Sequence, residues 1–345
     1  MKAAVLFETG QPLKIVDNIQ LPALITGQVQ VKILYSGLCH SQLMEVNGGR
    51  GEDKYLPHLL GHEGVGVVEA VGDGVTKVQV GDKVVIGWIK GEGQDAPGGK
   101  YPHDGYLINS GSATTLCDQT IVAENRVVKL PEGFPDKLAI LLGCALPTGL
   151  GLVFNELKPE TEKTLAIFGL GGIGMSALLA AKLSNPTKLI AVDVSEEKLA
   201  IARQLGATHT INANASDPVS AIYDITEGLG VDYSLEAGGT TTTIEQAFES
   251  VRDGGGQCVF ASHPSNELKI QLEPHAFHRG KSIRGSWGGG SQPDKDIPKF
   301  VELYNAGKLA LEPLLTKSYT LDEINLALSD LHNKKIVRAL IEVTK

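Results

Sequence analysis

Residues 164–198 read TLAIFGLGGIGMSALLAAKLSNPTKLIAVDVSEEK, and this stretch decides the fold. An apolar run, Thr164–Phe168, leads into Gly169-Leu170-Gly171-Gly172-Ile173-Gly174, a G-x-G-x-x-G pattern. A helical pattern follows over Met175–Leu183, and a second apolar run, Lys188–Val192, ends at Asp193. Strand, glycine turn, helix and a second strand closing on an acid make the fingerprint of a dinucleotide-binding unit. Gly169 permits the tight turn, Gly171 lets the backbone approach a pyrophosphate, and Gly174 lets the helix pack close to the strand. Gly172 and Ile173 belong to the same cofactor-binding turn, and the helix start that follows offers free N–H groups and a positive dipole end to the phosphates. Asp193 follows Gly169 by 24 residues, where a carboxylate can accept both ribose hydroxyls. Val194 and Ser195 come next, with no arginine to receive a 2′-phosphate, so NAD is expected rather than NADP.

Working outward, 345 residues suffice for two domains with sizeable cores. A net charge of −9 leaves no basic stripe for nucleic acid. Four widely spaced cysteines, Cys39, Cys117, Cys144 and Cys258, do not form a disulfide framework. The N-terminal MKAAVLFETGQP alternates like a strand and lacks a signal-peptide pattern. Leu138–Phe154 carries no charge, but Pro147 and three glycines interrupt it, and it falls short of the roughly 20 apolar residues of a membrane span. It is predicted to be buried core, in a cytoplasmic protein with no membrane partner.

Residues 1–146 read as short strands with little helix: Val29–Leu34 alternates, and the Val-rich runs Gly64–Val71 and Asp82–Ile86 flank a glycine turn. Such spacing predicts a β-rich domain of barrel or meander type. Lys90–Ser112, rich in Gly, Pro, Asp and Asn, is predicted to be a long surface loop. From 147 to 284 strands alternate with helices, the pattern of a doubly wound parallel sheet. Two helices, Asp296–Ala306 and Leu321–Asn333, and a final β run, Ile336–Val343, return the chain to the first domain. The expected division is 1–146 with 285–345, and 147–284 inserted between them.

Cys39 in GLCHSQ, His62 in GHEG and Cys144 in GCALPTG offer two thiolates and an imidazole, the donor set of a catalytic zinc with one open position. Singly, each has a plainer reading as a small buried thiol or a satisfied core histidine. Their spacing matches no short metal motif and does not choose between the two.

The chain resembles the zinc-dependent alcohol dehydrogenases of the medium-chain dehydrogenase/reductase superfamily over nearly its whole length. The resemblance is carried by GLCHSQ at 37–42, GHEGVGVVEAVGDGVTKVQVGDKVV at 61–85, GCALPTGLG at 143–151, the cofactor stretch and KKIVRALIEV at 334–343. It implies a GroES-like catalytic domain and a Rossmann NAD-binding domain, with the active site in the cleft between them. By that resemblance Cys39, His62 and Cys144 are the catalytic zinc ligands, and Glu63 is the acid beside the metal that assists ligand exchange. Ser41 is the hydroxyl that touches the alcohol, and His40 is a basic residue near the cofactor phosphates. Lys198 lies near the adenosine ribose, Arg338 pairs with the pyrophosphate, and Trp88 lines the substrate pocket. The implied reaction is reversible hydride transfer between an alcohol or polyol and NAD, giving an aldehyde or ketone, in a homodimer or homotetramer.

The chain also departs from the family. Residues 89–116 hold no cysteine, so a second, structural zinc is not expected and loop 90–112 must be held by other means. Gln42 stands where an acid is usual, which bears on zinc affinity, and Met44 where some relatives end a proton relay in histidine. Two further readings are a zinc-free quinone or enoyl reductase of the same superfamily, and a non-catalytic NAD-binding protein.

Overall fold

The structure, a computed structural model, describes residues 1–265 and 267–344. The chain packs as two compact units. The first comprises Met1–Cys144, Gln292–Asn305 and the chain from Leu314 onward; the second comprises Ala145–Ser291 and Ala306–Pro313. Residues 285–291 and 306–313 thus pack with the second unit, although the expected division assigned them to the first.

In the first unit the strands are β1 (Ala3–Leu6), β2 (Lys14–Val16), β3 (Gln28–Leu38), β4 (His58–Leu59), β5 (Gly64–Val71), β6 (Lys83–Ile86), β7 (Lys100–His103), β8 (Tyr106–Asn109), β9 (Gln119–Ala123) and β10 (Val127–Lys129). The second unit adds β11 (Thr164–Phe168), β12 (Lys188–Asp193), β13 (His209–Asn212), β14 (Tyr233–Glu236), β15 (Gln257–Phe260) and β16 (Ser282–Gly285), before β17 (Leu315–Thr320) and β18 (Arg338–Glu342) return to the first. The helices used below are α1 (His40–Val46), α2 (Asp136–Ala139), α3 (Ala145–Gly151), α4 (Gly172–Leu183) and α5 (Glu196–Leu205).

The first unit carries a five-stranded sheet, β2-β1-β4-β8-β7, and a seven-stranded sheet, β10-β6-β5-β3-β18-β17, with β9 also on β3. The long β3 is the hub: it pairs antiparallel with β9 along its first half, with β5 along most of its length and with β18 at its C-terminal end, which two neighbours therefore fix. β1 does not alternate as its sequence suggests; all four residues are buried because both of its faces are covered. The expected loop 90–112 contains the β7–β8 hairpin, whose Tyr101 and Ile108 are fully buried. The Tyr101 hydroxyl accepts the backbone N–H of Ile121 at 2.8 Å, an anchor the loop-like composition conceals. Its approach is pinned by Glu124, whose carboxylate accepts the N–H groups of Thr76, Lys77 and Gln94. The helix expected over Leu321–Asn333 begins as a 3-10 turn at Leu321–Glu323 and becomes α-helical at Ile324–His332.

The second unit is a six-stranded, wholly parallel sheet in the order β13-β12-β11-β14-β15-β16. The order runs outward in both directions from β11, which makes the C-terminal ends of β11 and β14 the switch point where dinucleotides bind in such sheets. β11 is buried from Leu165 to Phe168 and reads as a continuous apolar run, as a strand covered on both faces must. The predicted span Thr164–Phe168 is observed residue for residue. α5 shows the local rules plainly: Ser195 caps its N-terminus, Glu196 and Glu197 complement the dipole, and Gly206 in the left-handed region ends it. Leu138–Val153 is buried throughout. Among the described residues no single helix is long and apolar enough to cross a membrane.

Candidate metal centre and dinucleotide site

Three unrelated turns deliver the first site. Cys39 follows the end of β3 and caps α1, His62 lies between β4 and β5, and Cys144 follows the 3-10 turn Ile140–Gly143. Gly143 lets that turn close on the others, since a Cβ there would lie 2.4 Å from the Ile86 carbonyl oxygen and 2.8 Å from Glu63 Cα. The result is one cluster: one ligand atom from each of Cys39, His62 and Cys144, all within 4.8 Å of one another. Bonds of about 2.3 Å to sulfur and 2.0–2.1 Å to nitrogen in a tetrahedral site need donor separations below this limit. The donor set and spacing therefore fit zinc. Cys144 is buried, whereas Cys39 and His62 remain partly exposed, which leaves one side open to a fourth ligand.

Protons are shared among these groups. The Cys39 thiol is held well below its ordinary range, first by a hydrogen bond from Cys144 and further by Arg338 and His62, against the opposing effect of burial. Cys144 is pushed up, as the donor of that bond and by burial. Burial works against the charged form of His62, but hydrogen bonding and attraction to Cys39 raise it overall. Glu63 is fully buried, and burial pushes its carboxyl up to about 7 although Arg338 pulls it down. Arg338 is itself buried; Glu63 and the two thiol groups outweigh that burial and hold it charged. The cluster is thus one thiolate, Cys39, accepting a hydrogen bond from the Cys144 thiol, beside the buried Glu63–Arg338 pair.

The remaining expected residues of this unit sit as follows. Ser41 Oγ lies 3.4 Å from His62 Nδ1, and the Gln42 carboxamide, fully within the core, touches the same nitrogen. His40 is exposed on the first turn of α1. Trp88 is half-buried, and its carbonyl accepts a hydrogen bond from Arg126 Nη1. Arg338, expected at a pyrophosphate, has Nη1 3.0 Å from Glu63 Oε1 and donates to the Leu38 carbonyl at 3.3 Å.

The second site belongs to the other unit. Gly169 has φ +86°, and a Cβ on it would stand 2.4 Å from Gly238 Cα. A Cβ on Gly174 would stand 1.8 Å from the Gly169 carbonyl oxygen, so α4 packs directly on the turn that follows β11. In front of Gly171 there is open space. Gly172 and Ile173 open α4, placing free N–H groups at that space. Asp193 ends β12; Oδ2 accepts the Leu170 N–H at 2.6 Å and Oδ1 the Ser195 N–H at 2.9 Å, which aims the carboxylate at the glycine turn. Lys198 lies in the first turn of α5, where its N–H donates to Ser195 Oγ at 3.4 Å. A turn with room at Gly171 and an acid at Asp193 fits a dinucleotide. Thr148 in α3 carries a buried hydroxyl with no hydrogen-bond partner among the described residues. A lone threonine in an apolar helix gives no sign of this in the sequence.

Two family models and several known proteins match the chain. Residues 26–132 match the alcohol dehydrogenase GroES-like domain, and residues 172–306 match the zinc-binding dehydrogenase domain. The chain is 32% identical to an S-(hydroxymethyl)glutathione dehydrogenase of Synechocystis sp., covering 99% of both chains. It is 30% identical to alcohol dehydrogenase 6 of Peromyscus maniculatus, over 99% of this chain and 97% of that one. Among solved structures, benzyl alcohol dehydrogenase from Acinetobacter calcoaceticus superimposes with a TM-score of 0.90 at 31% identity, covering 99% of both chains. With the ligand trio assembled and both domain types matched, the chain belongs to the zinc-dependent alcohol dehydrogenases of the medium-chain superfamily, NAD-using oxidoreductases that act on CH–OH donors.

Proposed function

We propose that the protein interconverts a primary alcohol and its aldehyde with NAD as hydride carrier, its first unit holding the metal and its second the dinucleotide. The observation that carries this reading is the convergence of Cys39, His62 and Cys144 within 4.8 Å. When bound there, zinc supplies Lewis acidity to the alcohol or carbonyl oxygen, and NAD accepts or returns the hydride.

The chain's own residues do the rest. Two thiolates offset the metal charge, and Glu63, compensated by Arg338, adds no free charge. Ser41 Oγ accepts the proton of the substrate hydroxyl and passes its own outward, to His40 on the exposed turn of α1 or to water, since Met44 cannot carry it. Asp193 takes the ribose hydroxyls, Lys198 stands by the same sugar, and the N–H groups at Gly171, Gly172 and Ile173 face the pyrophosphate. With no arginine after Asp193, the site prefers NAD to NADP.

The choice of a slender primary alcohol rests on Trp88, whose indole would narrow the pocket. Two relatives are named for benzyl alcohol and S-(hydroxymethyl)glutathione, both carrying a CH₂OH group. Four free thiols suit the cytoplasm. β16 ends the strand order of its sheet among the described residues, and an edge strand suits the pairing of copies into a homodimer or homotetramer. The test is a panel of primary, secondary, aromatic and polyol alcohols with NAD, repeated with Trp88→Ala. Primary alcohols should lead, and the variant should gain on bulkier substrates; an unchanged substrate profile would refute the role given to Trp88.

A further inference from the structure

Gln42 faces two groups with one carboxamide. It is the third residue of α1 and is buried, and its Oε1 accepts the backbone N–H of Cys39 at 3.0 Å. The Nε2 end of the same amide is in close contact with His62 Nδ1, and Ser41 Oγ lies 3.4 Å from that nitrogen. With Nδ1 enclosed in this way, Nε2 is the imidazole atom left for a metal.

A neutral imidazole that binds a metal through Nε2 carries its proton on Nδ1. Two donors, the Cys39 N–H and the His62 Nδ1–H, then converge on a group with one acceptor oxygen and one donor nitrogen. Turning the amide over moves the mismatch from one neighbour to the other without removing it. The Ser41 hydroxyl can accept from Nδ1, yet the amide NH₂ still presses on the same hydrogen. As the side chain stands, with Oε1 on Cys39, it favours a proton on Nε2, the atom a metal needs bare. A carboxylate in this place would accept from both neighbours.

We propose that Gln42 is a positioning residue that opposes the metal-binding tautomer of His62 and so makes the zinc of this centre weakly held and exchangeable. The inference rests on the reading of Cys39, His62 and Cys144 as a zinc centre. Groups that orient a histidine ligand in this manner change metal affinity by about 10- to 100-fold.

The experiment uses the full chain and Gln42→Glu. Glutamate has the same reach and serves equally as the third residue of a capped helix, so α1 is preserved. Metal-stripped protein is titrated with zinc against a chromophoric chelator, and ¹⁵N shifts of His62 report which nitrogen carries the proton. Zinc should bind Gln42→Glu about 10- to 100-fold more tightly. In the stripped proteins His62 Nδ1 should be bare in the wild type and carry a proton in the variant, whatever proton the Cys39 thiolate holds on Nε2. A wild-type proton on Nδ1 would overturn the proposal without recourse to any variant. So would equal affinities, or tighter binding with no change of tautomer, which would reduce the effect to added charge. Absence of zinc binding in both proteins would refute the metal centre itself, and the inference with it.

Discussion

Arg338 Nη1 stands 3.0 Å from Glu63 Oε1, and both side chains are buried, at 3% and 0% exposure. Among the described residues neither Glu63 oxygen nor Arg338 Nε has a hydrogen-bond partner, so the pair is held by charge and proximity rather than by aligned hydrogen bonds. Each charge is tolerable in the interior only because the other is there.

Removing one partner should therefore hurt more than removing both. Arg338→Met is expected to destabilise the protein by about 3–5 kcal/mol in urea unfolding. The double variant Arg338→Met/Glu63→Gln should recover part of that loss. Additive effects in the double-mutant cycle would show that the two residues do not act as a pair.

The glycines of the cofactor turn separate packing from binding. Gly174→Ala drives a methyl onto the Gly169 carbonyl and should lower stability by about 1–3 kcal/mol, as forced overpacking does. Gly171→Ala meets open space, so its thermal midpoint should stay close to wild type while NADH binding, followed by fluorescence, weakens by about tenfold or more, roughly the 1.4 kcal/mol of a lost phosphate contact. Unimpaired NADH binding in Gly171→Ala would remove the pyrophosphate from this turn.

Asp193 should govern the choice of dinucleotide. Replacing it with serine removes the acceptor for the ribose hydroxyls and the negative charge that repels a 2′-phosphate. Efficiency with NAD is expected to fall by about 10- to 100-fold, on the scale of a charged hydrogen bond of 1.5–3 kcal/mol. Efficiency with NADP should rise. An unchanged ratio in steady-state kinetics would contradict the assignment.

Acid stability should depend on Asp330. Hydrogen bonds from Lys317 Nζ and the Tyr319 hydroxyl, with Lys335 nearby, hold its carboxyl down to about 2. Between that value and the ordinary carboxylate range near 3.9 the unfolded chain binds the extra proton, so stability rises with pH there. The contribution is complete above about pH 4 and lost as pH falls toward 2. Asp330→Asn should flatten the stability profile in this window; an identical acid limb would exclude the residue as its source.

Legibility followed the range of the interaction. Thr164–Phe168 and the glycine turn were readable because each is decided within a few residues by backbone geometry and burial. The hairpin at 100–109 was not: Gly99, Pro102 and Asp104 look like loop, and Tyr101 is buried among residues distant in sequence, Ala3, Val5, Leu59 and Ile121, where its hydroxyl meets the Ile121 N–H. The metal ligands were placed through family likeness, since three turns distant in sequence carry no shared periodicity. Arg338 shows the same limit from the other side. Its likeness pointed to a pyrophosphate, and nothing local in KKIVRALIEV announces a partner at Glu63. The absent acid at position 42 was visible, but its meaning emerged only when the amide was seen between Cys39 and His62.

The most direct measurement is NADH formation from a primary alcohol before and after removal of zinc, with metal content followed by elemental analysis. The account requires zinc bound at the Cys39, His62 and Cys144 cluster, loss of activity with its removal, restoration on adding zinc back, and neither zinc nor activity in Cys144→Ala. Alcohol oxidation that persists in zinc-free protein would contradict it.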